Sequence, residues 1–117
     1  MHERSVVRAL LRQVEALAAE HPASRVRAVR VRIGEFSGVE PALLRSAYDE
    51  LVEETTLRGA TLEAQQVPLE AICDECGLNF RVDDYRFACK TCGSLQLTIC
   101  GGEELLLESI SMEEPMP

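Results

Sequence analysis

The chain has 117 residues, of which 46% are hydrophobic and 4% aromatic, and its formal net charge at pH 7 is −8. This length suits one small domain with an added metal-held module, because a usual domain has roughly 100 to 150 residues. The negative charge and the scarcity of aromatic side chains disfavour nucleic-acid binding, and no apolar run approaches the roughly 20 residues that span a bilayer.

The first part of the chain alternates between helix and strand patterns. Residues 3 to about 20 have apolar residues at helical spacing, and Arg25 to Ile33 alternate with period two, which predicts a half-buried strand. Pro41 begins a second helix, because proline suits a first helical turn. Thr61 to Leu69 is a weaker strand candidate, with Leu62 and Ala64 on one side. The predicted apolar stripe of the second helix consists of Leu43, Leu44, Ala47, Tyr48, Leu51 and Val52.

Four cysteines form two C-x-x-C-G knuckles that are separated by twelve residues. They are Cys73, Cys76, Cys89 and Cys92. The glycine after each pair lets the backbone turn back with a positive φ at no steric cost. We expect the linker between the knuckles to form a hairpin that brings them face to face. The four thiolates then make one tetrahedral site for a structural Zn²⁺ ion.

Three other interpretations of these cysteines stay open at this point. Two disulfides are one, but charged residues interrupt the amino terminus, so no secretory signal is predicted and we expect a reducing, cytoplasmic location. A thioredoxin-like redox pair is the second, although one C-x-x-C would suffice for it. The third is a rubredoxin-like iron site, which uses the same four sulfur ligands.

The chain after the second knuckle predicts a return to the first domain. Leu95 to Ile99 reads as a short strand, Gly101-Gly102 breaks it, and Leu105 to Met112 reads as a final apolar strand. The predicted fold class is α+β, with two helices packed on a three-stranded mixed sheet and an inserted Cys₄ zinc-ribbon-like module. The predicted domains are an α/β domain formed by residues 1–69 and 102–117, and a zinc-binding module formed by residues 70–101.

The amino terminus is a candidate for a second metal site. The α-amine of Met1, the following backbone amides and the His2 imidazole lie within one chelating span, and such nitrogen ligands suit Ni(II) or Cu(II). A solvated terminal histidine is the ordinary alternative. Cys100 is interpreted as a small buried thiol. No set of nucleophile, base and orienting residue can be assembled, so we predict no catalytic residue and no enzyme activity.

Several motifs together resemble one protein family. They are M-H-E at the start, S-V-V-R-A-L-L from Ser5, V-R-I-G-E from Val31 and the doubled C-x-x-C. This combination resembles the HypA/HybF nickel metallochaperones of NiFe-hydrogenase maturation over nearly the whole chain. The resemblance implies a transferable Ni²⁺ ion bound by His2 and neighbouring backbone nitrogens, with Glu3 contributing and Glu40 as an extra ligand. Lys90 departs from the family, because many relatives have proline there, and this predicts a less rigid second knuckle.

The resemblance also implies partners for the chain. These are a hydrogenase maturation GTPase and the hydrogenase large-subunit precursor, and some relatives also support urease maturation. We expect a monomer or a weak homodimer, since a small three-stranded sheet leaves an edge exposed. The alternative function is a zinc-ribbon adaptor that bridges two proteins and carries no transferable metal.

Overall fold

A computed structural model of the protein describes residues 3–114. Within these residues, no helix has both the length and the apolar character needed to cross a membrane. A short 3₁₀ turn, Val52–Glu54, follows the second helix. The other elements, in chain order, are α1 (Glu3–Ala18), β1 (Arg25–Gly34), α2 (Pro41–Leu51), β2 (Thr61–Val67), β3 (Glu70–Cys73), β4 (Asn79–Arg81), β5 (Leu97–Gly101) and β6 (Leu105–Glu113).

The two helices and three of the strands form one layered unit. Its sheet has the order β2-β1-β6, with β1 parallel to β2 and antiparallel to β6. The connection from β1 through α2 to β2 is the crossover that a parallel pair requires. The predicted three-stranded mixed sheet and the predicted return of the last strand are therefore confirmed. Buried residues of both helices share a core with β1; from α1 they are Val7, Leu10, Leu11 and Val14.

The alternating pattern of β1 explains its central position. Val29, Val31 and Ile33 are almost completely buried and pack in the helix-facing core. Arg30 lies on the opposite face, where its guanidinium contacts the Glu63 carboxylate at 3.5 Å and donates to Ser111 Oγ at 2.6 Å. A strand with one apolar face and one polar face fits a sheet that is covered on one side only.

A second, smaller sheet holds the cysteine knuckles. Its order is β4-β3-β5, and both pairings are antiparallel. It has its own buried cluster, formed by Leu69, Ala71, Cys73, Phe80, Val82 and Cys89. The sequence did not predict β3 or β4, because strands of four and three residues are too short to show a period.

The expected hairpin within the linker between the knuckles is wrong. The start of the linker, Asn79–Arg81, pairs back with Glu70–Ile72, which precede the first knuckle. The physical reason is that β3 needs hydrogen-bond partners, and the knuckle turns the chain directly onto it. The rest of the linker forms a loop in which Asp84 and Tyr85 have positive φ angles of 53° and 57°.

Other boundaries and orientations also differ from the predictions. Strand β2 ends at Val67, because Pro68 has no N–H to donate to a ladder. Leu62 is buried, whereas Ala64, which was predicted to lie on the same side of the strand, is exposed. Leu43 is 55% exposed, so it lies outside the apolar stripe of α2.

The strand after the second knuckle is shifted by two residues from its predicted position. It spans Leu97–Gly101, so Gly101 belongs to the strand, and residues 102–104 separate it from β6. Gly102 has a φ of 91°, which L side chains rarely adopt. The chain then turns directly into Leu105–Glu113.

The two sheets meet at the carboxyl end of β1. The N–H of Gly34 donates to the Glu104 carbonyl at 2.9 Å, and that of Glu35 donates to the Val67 carbonyl at 2.9 Å. A Cβ atom added to Gly34 would collide with the Gly102 backbone. The backbone segments around Gly34 and Gly102 therefore pass very close to each other where the chain leaves and re-enters the first sheet. We call this place the crossing, and only residues without a Cβ can form it.

Candidate metal centre

The four cysteines of the two knuckles converge on one point. Their sulfur atoms all lie within 4.8 Å of one another. Cys73 and Cys92 have an Sγ–Sγ distance of 3.6 Å, and Cys76 and Cys89 have one of 3.5 Å. A tetrahedral zinc ion with Zn–S bonds of about 2.3 Å needs sulfur atoms about 3.8 Å apart. The four side chains therefore form a cage of the size that one zinc ion requires.

Each knuckle is built by the same backbone hydrogen bond. The N–H of Gly77 donates to the Cys73 carbonyl at 2.8 Å, and that of Gly93 donates to the Cys89 carbonyl at 2.9 Å. The two glycines have φ angles of 78° and 75°. This confirms the predicted reason for glycine after each C-x-x-C pair. The first cysteine of each knuckle is buried and the second is exposed.

The backbone of the knuckles favours thiolates, whereas the neighbouring sulfurs oppose them. The backbone N–H of Cys92 lowers the pKa of the Cys89 thiol to about 6, and that of Cys76 lowers the pKa of Cys73. At Cys92 the Ser94 N–H acts in the same direction, but the neighbouring thiols outweigh it and raise the pKa to about 12. Four thiolates can therefore coexist only around a cation, which is the condition that metal binding fulfils.

The second knuckle is braced by an ion pair. Lys90 Nζ lies 2.7 Å from Asp83 Oδ2, and Arg81 Nε lies 3.2 Å from Asp83 Oδ1. The Lys90 ammonium accordingly lowers the pKa of the Asp83 carboxyl group. Lysine at this position predicts a less rigid turn than proline would give, and the structure shows that its side chain ties the knuckle to the linker.

The residues of the predicted nickel site are only partly within the described chain. Met1 and His2 lie outside residues 3–114. Glu3 is the first residue of α1. Glu40 is the N-cap of α2, and its Oε1 accepts a hydrogen bond from the Ala42 N–H at 3.3 Å.

The two helices run in the same direction. Arg4 of α1 forms a 2.9 Å ion pair with Glu50 of α2, and Glu15 farther along α1 accepts a hydrogen bond from Thr56, which follows α2. The start of α1 thus lies beside α2, with Glu3 lining a surface cavity that also contains Leu43.

Glu40 lines a different cavity from Glu3. Its neighbours there include Glu35, Gln66 and Arg81, at the junction of the two sheets. Among the residues that the structure describes, the four cysteines are the only group of three or more metal-ligating side chains that converge. The structure therefore brings the four cysteines together, whereas Glu3 and Glu40 line separate cavities.

Cys100 is not a buried thiol, contrary to its interpretation from the sequence. It lies in β5 and is exposed. It lines a cavity of about 450 Å³ together with Arg32 and Glu70. The alternation of side chains along this short strand places it on the open face, opposite to the neighbours that pack in the small core.

One cluster of side chains beside the metal module was not predicted from the sequence. The Phe36 ring lies 5.2 Å from the ring of Tyr85 and 5.9 Å from that of Phe87, centroid to centroid. Three of the five phenylalanine and tyrosine residues of the chain thus gather at one place. About fifty residues separate Phe36 from its two partners, so no local sequence pattern connects them. The only available signal was the scarcity of aromatic side chains elsewhere in the chain.

Comparison with protein families gives a match over almost the whole chain. A family model described as "Hydrogenase/urease nickel incorporation, metallochaperone, hypA" matches residues 1–112. The hydrogenase maturation factor HypA of Nitrosospira multiformis is 42% identical over 112 residues, which are 96% of this chain and 97% of that protein. HypA of Desulfitobacterium hafniense is 36% identical over 97% of this chain and 100% of its own length.

Solved structures agree with this assignment. The solution structure of the nickel metallochaperone HypA from Helicobacter pylori has a TM-score of 0.70 and 30% identity, and the match covers 98% of this chain and all of that one. A second solution structure of a HypA protein has a TM-score of 0.74 and 33% identity, with 97% of each chain covered. The descriptions of these relatives name maturation factors and metallochaperones. The present chain belongs to the HypA family of metallochaperones for nickel incorporation into hydrogenase and urease.

Proposed function

We propose that this chain binds a transferable Ni²⁺ ion at its amino terminus and delivers it to the large-subunit precursor of a NiFe-hydrogenase. The observation that carries the proposal is the family match over residues 1–112, because it includes both the M-H-E start and the two knuckles. The nickel ligands are the α-amine of Met1, the following backbone nitrogens and the His2 imidazole. Such nitrogen ligands suit Ni²⁺, and they can be exchanged one at a time during transfer.

Two carboxylates are further candidate ligands in this proposal, one at the start of each helix. Glu3 follows His2 directly and is the first residue of α1. If its carboxylate binds the nickel ion, the ion is attached to the first turn of this helix. Glu40 caps α2 through Oε1 only. Its second oxygen, Oε2, is the atom that we assign as the extra ligand, which it can supply without uncapping the helix.

In this proposal a structural Zn²⁺ ion occupies the four-cysteine cage and is not transferred. The cage has two buried ligands, a braced second knuckle and no place for a labile ligand among its four sulfurs. We also propose the domain division 1–69 with 102–117, and 70–101. The separate sheets and separate apolar clusters support it, although Leu69 packs with the small cluster.

The partners follow from the same proposal. The recipient is the hydrogenase large-subunit precursor, and a hydrogenase maturation GTPase cooperates in the transfer. The description of the family model also names urease, so urease maturation proteins are second candidates. We place the protein in the cytoplasm, as a monomer or weak homodimer, where free thiols persist and nickel enzymes are assembled.

A nickel titration tests the terminal site. Zinc-loaded protein with its natural first residue is compared with His2→Ala and with His21→Ala by calorimetry and absorption spectroscopy. We expect His2→Ala to abolish the high-affinity phase, because it removes the imidazole of the chelate. His21, the only other histidine, lies just beyond α1 and serves as the matched control, with unchanged uptake.

The same titration addresses the adaptor hypothesis. Its structural support is the exposed apolar surface of the metal module, where Leu95 is 75% and Tyr85 72% exposed. Equal nickel affinity and equal spectra for all three proteins would remove the terminal site, and a complete lack of nickel uptake would favour the adaptor.

A further inference from the structure

The two sheets are joined by a backbone crossing and by a second set of contacts beyond it. At the crossing, the N–H of Phe36 donates to the Gly102 carbonyl at 2.7 Å. Beyond it, the Phe36 ring contacts Tyr85 and Phe87 of the linker loop, and Arg81 lies 3.8 Å from the Glu35 carboxylate. A single crossing acts as a pivot, whereas contacts away from it resist rotation. The side-chain contacts are therefore placed where they can resist rotation of one sheet against the other.

The loop that carries two of these rings is held in an unfavourable backbone conformation. Asp84 and Tyr85 both have positive φ angles, and neither is glycine. Residues in this region persist only where their surroundings determine the conformation. The surroundings here are Asp83, paired with Lys90, at the start of the loop and Cys89 at its end. Both ends of the loop are thus attached to the second knuckle: Asp83 through its ion pair with Lys90, and Cys89 as a member of the knuckle.

The rings themselves are only partly covered. Phe36 is 37% exposed, Phe87 41% and Tyr85 72%. Contacts between exposed rings are weak compared with those of a core. Burial therefore contributes little to this cluster, and the loop that carries Tyr85 and Phe87 determines whether their rings meet Phe36.

We propose that Phe36, Tyr85 and Phe87 form an aromatic latch that fixes the metal module against the helix-bearing sheet while the four-cysteine cage is filled, and that loss of the metal opens it. The ion holds Cys89 and thereby the far end of the loop. Without the ion, four thiols no longer converge and the second knuckle loses its anchor. The loop then relaxes from its positive φ angles and withdraws its rings from Phe36.

The latch gives the metal module an influence on the first domain. Phe36 lies in the connection between β1 and α2, four residues before Glu40. When the latch opens, the connection between β1 and α2 therefore loses its contacts with the metal module at Phe36. The proposal rests only on metal binding by the cysteines, and it holds whether or not the chain delivers nickel.

Fluorine NMR on protein labelled with 3-fluorotyrosine tests the latch directly. The chain contains two tyrosines, so two resonances are expected: one from Tyr48 in the core and one from Tyr85. The Tyr85→Phe variant assigns the second resonance by deleting it. We expect Phe36→Ala to shift the Tyr85 resonance towards its position in unfolded protein, because a ring neighbour is lost, and to leave the Tyr48 resonance in place.

Zinc removal by a chelator is the second arm of this experiment. We expect the Tyr85 resonance of the wild type to leave its zinc-loaded position and to move towards that of unfolded protein, beyond its position in zinc-loaded Phe36→Ala, and to return when zinc is added back. Leu95→Ala, which removes an exposed apolar side chain elsewhere in the same module, is the matched control and should show the wild-type response. A Tyr85 resonance that is unaffected by Phe36→Ala, or by zinc removal, would overturn the proposal.

Residual dipolar couplings test the fixed angle. Couplings from both sheets should fit one alignment tensor in zinc-loaded wild type and require two tensors in Phe36→Ala. Tyr85→Asn provides an independent variant, since asparagine tolerates a positive φ and should keep the loop intact without the ring. One common tensor in both variants would show that the crossing alone fixes the angle, and the latch would be wrong.

Discussion

Individual glycines determine whether the two halves of this protein can be joined. A Cβ atom on Gly102 would lie 2.6 Å from the Leu69 Cα, and the residue has a positive φ. Gly38 also has a positive φ, of 78°, but a Cβ atom there would meet nothing within 4 Å. The two positions therefore separate the effect of backbone conformation from that of a steric clash.

Replacing these glycines by alanine should have unequal effects. We expect Gly38→Ala to lower the free energy of unfolding by about 1 kcal/mol, because only the backbone conformation is strained. Gly102→Ala should cost about 3 kcal/mol or more, since the crossing must also move apart. Urea unfolding of the zinc-loaded proteins measures both, and equal losses would contradict the crowded crossing.

The Tyr48 hydroxyl is the main buried polar group of the helix-facing core. It donates to the Ala60 carbonyl at 2.8 Å, and burial, followed by the nearby Asp49 charge, raises its pKa to about 12. Tyr48→Phe leaves this carbonyl without its donor and should destabilise the fold by about 1 to 2 kcal/mol.

The raised pKa of Tyr48 also predicts a pH dependence. The folded state keeps its phenolic proton up to about pH 12, whereas the unfolded chain releases it near the ordinary value of 10.0. This contribution to stability is complete below pH 10 and is lost as the pH rises towards 12. The wild type should therefore lose more stability than Tyr48→Phe between pH 9 and 11, as measured by urea unfolding; parallel pH profiles would argue against it.

At the scale of elements, we expect the small sheet to depend on a metal ion in the four-cysteine cage. Its strands β3, β4 and β5 have four, three and five residues, which is too little for independent stability. Metal binding to structural four-ligand sites contributes directly to folding. The helix-bearing sheet has a much larger apolar core and no cysteine ligand.

Removing the metal should therefore unfold one sheet and preserve the other. After chelation we expect the Ala71 amide in β3 to lose its protection from hydrogen exchange, while that of Val31 in β1 keeps it. Cys92→Ser should give the same result without a chelator, because it removes one ligand of the cage. Cys100→Ser removes the thiol outside the cage and should leave zinc content and exchange unchanged; unaltered protection of Ala71 in Cys92→Ser would show that the sheet folds without the ion.

The sequence revealed the elements that carry a repeated local signal. The period-two pattern of β1 and the spacing of the cysteines each depend on residues close together in the chain, and both predictions were confirmed by the structure. Strands β3 and β4 are too short for such a pattern. The contact between Phe36 and Tyr85 depends on tertiary packing, for which no local signal exists. The positions of Glu3 and Glu40 in separate cavities likewise required knowledge of how α1 packs beside α2.

At the scale of the whole molecule, residues 3–114 form an elongated shape, because two small units meet at one end of a sheet. Its Cα atoms extend over 60 × 29 × 16 Å, with a radius of gyration of 18.0 Å. A compact domain of this length would have a radius of gyration of roughly 13 Å. Small-angle X-ray scattering of the zinc-loaded monomer should therefore give a value near 18 Å. A value near 13 Å would mean that the metal module folds back onto the helices.

The convergence of both connections on the end of β1 has an evolutionary consequence. Since β2 and β6 lie on opposite sides of β1, the chain can depart after Val67 and rejoin at Leu105 without changing the register of either pairing. The entropic cost of closing such a detour rises only slowly with its length. Lineages could therefore lengthen, shorten or exchange the segment between these points while the helix-bearing sheet stays intact.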